Sequence, residues 1–157
     1  MKRRDWLAVT AGLVLAGRGS AMAPGDRVVW PTGVSLLDGS PWTPLPGHAQ
    51  LIVRWATWCG YCRRHNVHVD TLHRSLGDAP LQVLGVAADR DADLVRRSLQ
   101  AQGLQFPVTL DAQAFAGLSA RRVVPLTITV DRSGRLREVI PGEMAADDVM
   151  ALAQLAR

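Results

Sequence analysis

The only two cysteines of the chain, Cys59 and Cys62, stand three positions apart in Trp55-Ala56-Thr57-Trp58-Cys59-Gly60-Tyr61-Cys62-Arg63-Arg64. Two thiols at that spacing can close a disulfide and exchange it with another. So small a loop restrains an unfolded chain weakly, and one bridge cannot staple 157 residues, so its use is chemical rather than structural. An apolar run, Leu51-Ile52-Val53, interrupted by Arg54, precedes the pair, and Val69, Leu72 and Leu76 follow it at helical spacing. The pair therefore falls where a strand gives way to a helix. Cys59 sits at the helix start, where unpaired N–H groups and the positive dipole end favour a thiolate. Cys62 lies one turn on, placed to attack a mixed disulfide held on Cys59. The pattern is that of a disulfide-exchange site.

A metal centre is the rival chemistry. Cys59, Cys62, His65 and His68 are each three apart, and Cys/His pairs at that spacing bind Zn or Cu. On a helix each step of three turns the side chain by about −60°, so Cys59 and His68 point apart and four ligands do not converge. Cys59, Cys62 and His65 remain as a three-ligand Cu or Zn alternative. Covalent haem attachment needs His directly after the second cysteine, and Arg63 stands there. His48 and His73 are isolated and read as surface residues. Trp55 and Trp58 read as packing around the pair, with Trp58 also able to meet a substrate.

The chain has room for one domain with a full core. Its formal net charge of +4 comes mostly from the first 21 residues, where Lys2, Arg3, Arg4 and Arg18 face only Asp5. From residue 22 onward 14 Arg meet 13 Asp or Glu, a net of +1, which leaves no electrostatic case for nucleic acid. Residues 1–23 read as an export signal: a basic start, an uncharged run from Trp6 to Gly17, then small residues for cleavage after Ala23 or Ala21. That run is shorter than the roughly 20 residues that span a bilayer, so a permanent anchor is disfavoured. Arg3-Arg4-Asp5-Trp6-Leu7 suits the twin-arginine route as well as the general secretory one. Either route puts the domain, residues 24–157, in the periplasm, where disulfide chemistry operates.

The elements that must position the cysteines follow in order. Residues 24–50 are rich in Pro and Gly and suit a hairpin turning at Asp38-Gly39, with Trp42 over one edge of the sheet. A strand over 51–55 leads into the cysteine helix, which ends near Gly77. A buried strand over 81–88 precedes a helix capped by Asp91 or Asp93 and closed by Gly103. A short strand over 106–110, a short helix through Leu118, a strand over 126–130, a turn at Asp131-Arg132-Ser133-Gly134, a return strand over 135–140 and a helix over 145–155 complete the chain. The predicted class is α/β, a mixed central sheet flanked by helices.

The Trp-Ala-Thr-Trp-Cys-x-x-Cys-Arg stretch, the Phe106-Pro107-Val108 segment with Asp111, and Val124-Pro125 followed by Thr127 and the 131–134 turn resemble the TlpA/ResA/CcmG-type thioredoxin-like proteins. The resemblance covers residues 30–157. It implies a thioredoxin-like fold with an added βα unit, matched here by 81–105. It also implies an extracytoplasmic thiol–disulfide oxidoreductase, usually a reductant, with an oxidase or isomerase as the alternative. Cys59 takes the attacking role and Cys62 the resolving one. On the residues alone Pro125 reads as a trans proline opening a strand; the resemblance makes it cis, with the backbone of Val124 pairing with substrate. Trp58, Gly60, Tyr61 and His65 become modulating residues.

The resemblance further implies protein substrates that carry disulfides, among them apocytochrome c and copper-site assembly proteins, a membrane thiol-transfer partner as electron source, no soluble cofactor, and a monomer. Three departures stand out. His65 and Val67 replace the family's usual Glu and Pro after the second cysteine. His65 is either a base or thiol-tuning cation, or simply a surface residue. Val53 falls where plain thioredoxins carry a buried carboxylate. Arg54 replaces an aromatic strand residue, and either pairs with a carboxylate at a sheet edge or faces a partner. The Gly60-Tyr61 dipeptide also occurs in disulfide isomerases.

Overall fold

Runs of branched and apolar residues need burial on both sides, and here they find it in one mixed sheet. The computed structural model describes residues 21–157. A two-stranded hairpin, β1 (Val34–Ser35) and β2 (Pro41–Trp42), comes first, followed by β3 (Ala49–Trp55), α1 (Gly60–Ser75), β4 (Leu81–Ala87), α2 (Ala92–Gln102), β5 (Val108–Thr109), β6 (Leu126–Val130), β7 (Leu136–Pro141) and α3 (Ala146–Ala151). The main sheet runs β5-β4-β3-β6-β7. Its central strand, β3, is parallel to β4 and antiparallel to β6.

Strand alternation divides the core in two. Leu51, Val53 and Trp55 of β3 join Val69 and Leu72 of α1, Val95 of α2 and Val149 of α3 on one face. Ile52 of β3, Leu84 and Val86 of β4, and Leu126 and Ile128 of β6 line the other. That second face is closed by Phe115, which caps a 3-10 turn over Ala116–Leu118, by Leu118 at that turn's end, and by Val28, Val34 and Trp42. Trp42 meets Trp30 and Phe115 edge-on, with ring centroids 5.7 and 5.5 Å apart. The hairpin does reach an edge: Leu36 bridges Thr109 of β5. Trp42 itself lies on the face, not at the edge.

Caps set the helix ends. The Asp91 carboxylate accepts from the backbone N–H groups of Asp93 and Leu94, and Gly103 closes α2 at φ 65°, a left-handed conformation suited to glycine. Two elements differ from their sequence patterns. β7 pairs as far as Pro141, tolerated because β7 is an edge strand and proline's missing N–H faces no partner. The last helix tightens after Ala151 into a 3-10 turn over Leu152–Ala156. The βα unit expected over 81–105 corresponds to β4 and α2. Of the export signal expected over 1–23, residues 1–20 lie outside the described residues. Among the described residues, no helix is long and apolar enough to cross a membrane.

Candidate active site

β3 ends at Trp55, and after three intervening residues, 56–58, the chain enters α1 at Cys59. Cys59 is the N-cap of that helix, in extended conformation, and its Sγ accepts from the Cys62 backbone N–H at 3.1 Å. A sulfur in that position satisfies one of the orphan donors of the first turn, and the dipole there favours negative charge on it. Cys59 and Cys62 are joined as a disulfide. Cys62 is fully enclosed, whereas Cys59 keeps 8% of its surface open, so an incoming sulfur can reach only Cys59. The Val124 carbonyl oxygen faces Cys59 Sγ at 3.7 Å. The Val124–Pro125 peptide bond is cis.

The surroundings divide into a buried floor and an open rim. Trp55 is buried, but Trp58 is 73% exposed and Tyr61 63%. Trp58 thus does not pack beneath the pair; it stands in solvent beside Cys59. Val123 is exposed as well. Gly60 occupies the first helical position with nothing near where a Cβ would be. Arg64 stacks over the Tyr61 ring at 5.0 Å and forms a bidentate pair with Glu143, its Nε and Nη2 donating at 2.8 and 2.7 Å. The Arg64 guanidinium holds the Glu143 carboxyl below its ordinary range.

His65 is neither a surface residue nor a cation. It is fully buried, its Nδ1 accepts from the Met144 backbone N–H at 3.3 Å, and its Nε2 lies 3.0 Å from Thr127 Oγ1. An accepting Nδ1 places the ring proton on Nε2, which donates to Thr127. Burial, reinforced by the nearby charge of His68 and opposed by Glu143, lowers its pKa to about 4. Both ring nitrogens are engaged away from the sulfurs, and among the described residues no group of three or more Cys, His, Asp or Glu gathers to hold a metal. The Cys59, Cys62 and His65 ligand set is therefore not formed. Helical spacing could have placed His65 inside, since 65, 69, 72 and 76 continue one apolar stripe.

Two supports carried no local signal. The Asp89 carboxylate accepts from both the Thr57 backbone N–H, at 2.9 Å, and the Thr57 hydroxyl, at 2.5 Å. Parallel pairing sets Trp55 opposite Ala87, so Thr57 and Asp89 are each two residues beyond that rung. This pins the turn that carries Cys59. Farther down α1, the buried Asp70 accepts from the backbone N–H groups of Gln105 and Phe106, at 2.5 and 3.1 Å.

The Redoxin family model matches residues 40–155 of the chain, which spans the sheet, the cysteine pair and the Val124–Pro125 loop. The chain belongs to the Redoxin family. Among Redoxin relatives, it is 29% identical over 97 residues to the thiol-disulfide oxidoreductase ResA of Geobacillus kaustophilus, covering 60% of this chain and 55% of that protein. It is 25% identical over 105 residues to the thioredoxin-like protein YneN of Bacillus subtilis, covering 66% and 62%. The chain thus spans less than two thirds of either relative. Its fold matches a thiol:disulfide interchange protein of the thioredoxin family from Chlorobium tepidum, with a TM-score of 0.72 at 24% identity, covering 85% and 99% of the two chains. It also matches StoA from Bacillus subtilis, with a TM-score of 0.68 at 16% identity, covering 82% and 98%. The fold is thioredoxin-like.

Proposed function

We propose that this protein is an extracytoplasmic thiol–disulfide oxidoreductase that reduces disulfides in exported proteins. The observation that carries the reading is the asymmetry of the pair: Cys59 is open and capped by an N–H donor at the start of α1, while Cys62 is enclosed one turn on. The similarity to ResA supports the activity.

In the reduced enzyme, Cys59 thiolate attacks one sulfur of a substrate disulfide. A bond forms between Cys59 and that sulfur, and the other substrate sulfur leaves as a thiolate. Cys62 then loses its proton and attacks Cys59 Sγ. The Cys59–Cys62 bond forms, the mixed disulfide breaks, and the departing thiolate takes up a proton. Two electrons pass to the substrate. The Val124 carbonyl, facing Cys59 Sγ, lies where a substrate strand would pair by its own backbone N–H, with Pro125 shaping the loop. Trp58, Gly60 and Tyr61 form the rim that the substrate meets. A membrane thiol-transfer protein restores the dithiol, and the enzyme works as a monomer without a soluble cofactor. Substrates such as apocytochrome c or copper-site assembly proteins suit this chemistry.

Charge supports the reducing direction. A couple becomes strongly oxidising when its thiolate is strongly stabilised. Here Cys59 receives one N–H, faces a carbonyl oxygen, and has a neutral His65 behind Cys62 rather than an imidazolium. That favours a reductant. The test is trapping: Cys62→Ser should accumulate a mixed disulfide with a disulfide-bearing protein, and Cys59→Ser should form none. Full reductase activity in Cys59→Ser would overturn the reading.

A further inference from the structure

Arg54 sits on the central strand, not at a sheet edge, and its register partner is Leu126, the residue after Pro125. Its side chain points to the face opposite α1, where it lines a cavity of about 20 Å³ together with Arg121, Arg122, Ser119, Phe115 and Leu126. That space suits a single oxygen-sized group. Three arginines line it, the charge of Arg122 acts on Arg54, and none of the three belongs to an ion pair among the described residues. Arg54 Nε is buried without an acceptor among the described residues. Arg122 Nη1 reaches only the carbonyl oxygens of Ala116 and Ser119, both at a long 3.4 Å. Burial and the charge of Arg122 both work against the protonated form of Arg54. Like charges held together with no counter-charge are unfavourable unless an anion joins them.

The place of the cluster decides which anion. Arg122 is two residues before Val124, and two residues span at most about 7 Å of chain. The Val124 carbonyl faces Cys59 Sγ. Arg122 and Leu126, which both line the cavity, flank the 123–125 segment, so the cavity abuts the loop whose Val124 carbonyl faces Cys59. Arg121 and Arg122, which line the cavity, are exposed to solvent. Guanidinium groups match a carboxylate in geometry as well as charge.

We propose that the Arg54–Arg122 cavity binds a carboxylate of the substrate polypeptide, an Asp or Glu side chain close to the disulfide under exchange. One carboxylate oxygen enters the cavity toward Arg54 and the other remains at the rim with Arg122. The inference rests on the disulfide-exchange reading above and adds a preference in substrate choice to it.

The test compares two disulfide-bridged peptides that differ only in Asp or Asn beside the reactive cysteine, each mixed with the full chain in its reduced form. The Asp peptide should react roughly three- to tenfold faster, the scale of one charge-assisted contact at a partly open site. That ratio should fall toward 1 in about 0.5 M salt, in Arg54→Gln and in Arg122→Gln. Arg122 is exposed, so its variant keeps the fold and the comparison stands even where Arg54→Gln does not fold. Equal rates for the two peptides in the unaltered protein, or an Asp preference unchanged in both variants, overturn the carboxylate site while leaving the exchange reading intact. Reaction with neither peptide overturns both.

Discussion

His65 Nδ1 accepts the backbone N–H of Met144, 79 residues away, while His65 Nε2 donates to Thr127 Oγ1 on β6. One neutral imidazole thus ties the cysteine helix to the central sheet and to the segment entering α3. Protonating it would break the Met144 bond and place a charge in the core.

This gives a pH dependence with a definite sign. The folded pKa is about 4 and the ordinary value 6.5. Between these limits the unfolded chain binds a proton that the folded one does not, so stability rises with pH through that window and is lost as pH falls from 6.5 toward 4. The shift corresponds to about 3 kcal/mol at most. Urea unfolding at pH 4.5 and pH 7 should show this loss in the unaltered protein. In His65→Gln, which cannot titrate, the difference should shrink by most of that amount. An equal pH slope in the two proteins would assign the effect to other groups.

Asp89→Ala removes both acceptors of Thr57 and leaves its N–H and hydroxyl unpaired beneath the cysteine turn. The expected cost is about 1–3 kcal/mol in denaturant unfolding. A slower reaction of Cys59 with a disulfide should accompany it, because the N-cap geometry of Cys59 is no longer fixed. Unchanged stability and unchanged exchange rate together would show that the Thr57–Asp89 pair holds nothing.

Gly85→Ala tests the packing behind the site. A Cβ at position 85 would lie 2.6 Å from Phe106 Cε2 and 3.0 Å from both Trp55 Nε1 and Val108 Cγ2. The backbone there is ordinary strand, so the cost is contact alone, about 1–3 kcal/mol of overpacking. Because Trp55 ends the strand leading to Cys59, its fluorescence should shift in this variant. A neutral substitution would mean that Phe106 moves aside freely.

Much of the site is local in sequence and was legible there. The apolar run of β3, the cysteine spacing and the stripe of α1 fix a strand, a turn and a helix without reference to distant residues. The Asp91 cap and Gly103 stop belong to the same kind of short-range chemistry. What the sequence could not show depends on register and pairing. Asp89 meets Thr57 only because β3 and β4 pair with Trp55 opposite Ala87, and Met144 meets His65 only because α3 packs on α1. Trp58 and Trp55 are chemically alike, yet one is exposed and the other buried. Strand alternation stops where the β3 backbone turns toward α1, so periodicity has no hold on residue 58. The sequence left Arg54 open between a carboxylate partner at a sheet edge and a surface that meets a partner, because central strands rarely carry charge. Arg54 sits on the central strand, only partly buried, on the face opposite α1.

The most direct test of the central claim is the reduction potential of the Cys59–Cys62 couple, measured by thiol trapping in glutathione or dithiothreitol buffers. A reducing dithiol, with a single N–H donor to Cys59 and no imidazolium beside it, should equilibrate near about −270 mV, the thioredoxin range. A value of about −120 to −180 mV would contradict the account, placing the protein with disulfide oxidases and isomerases.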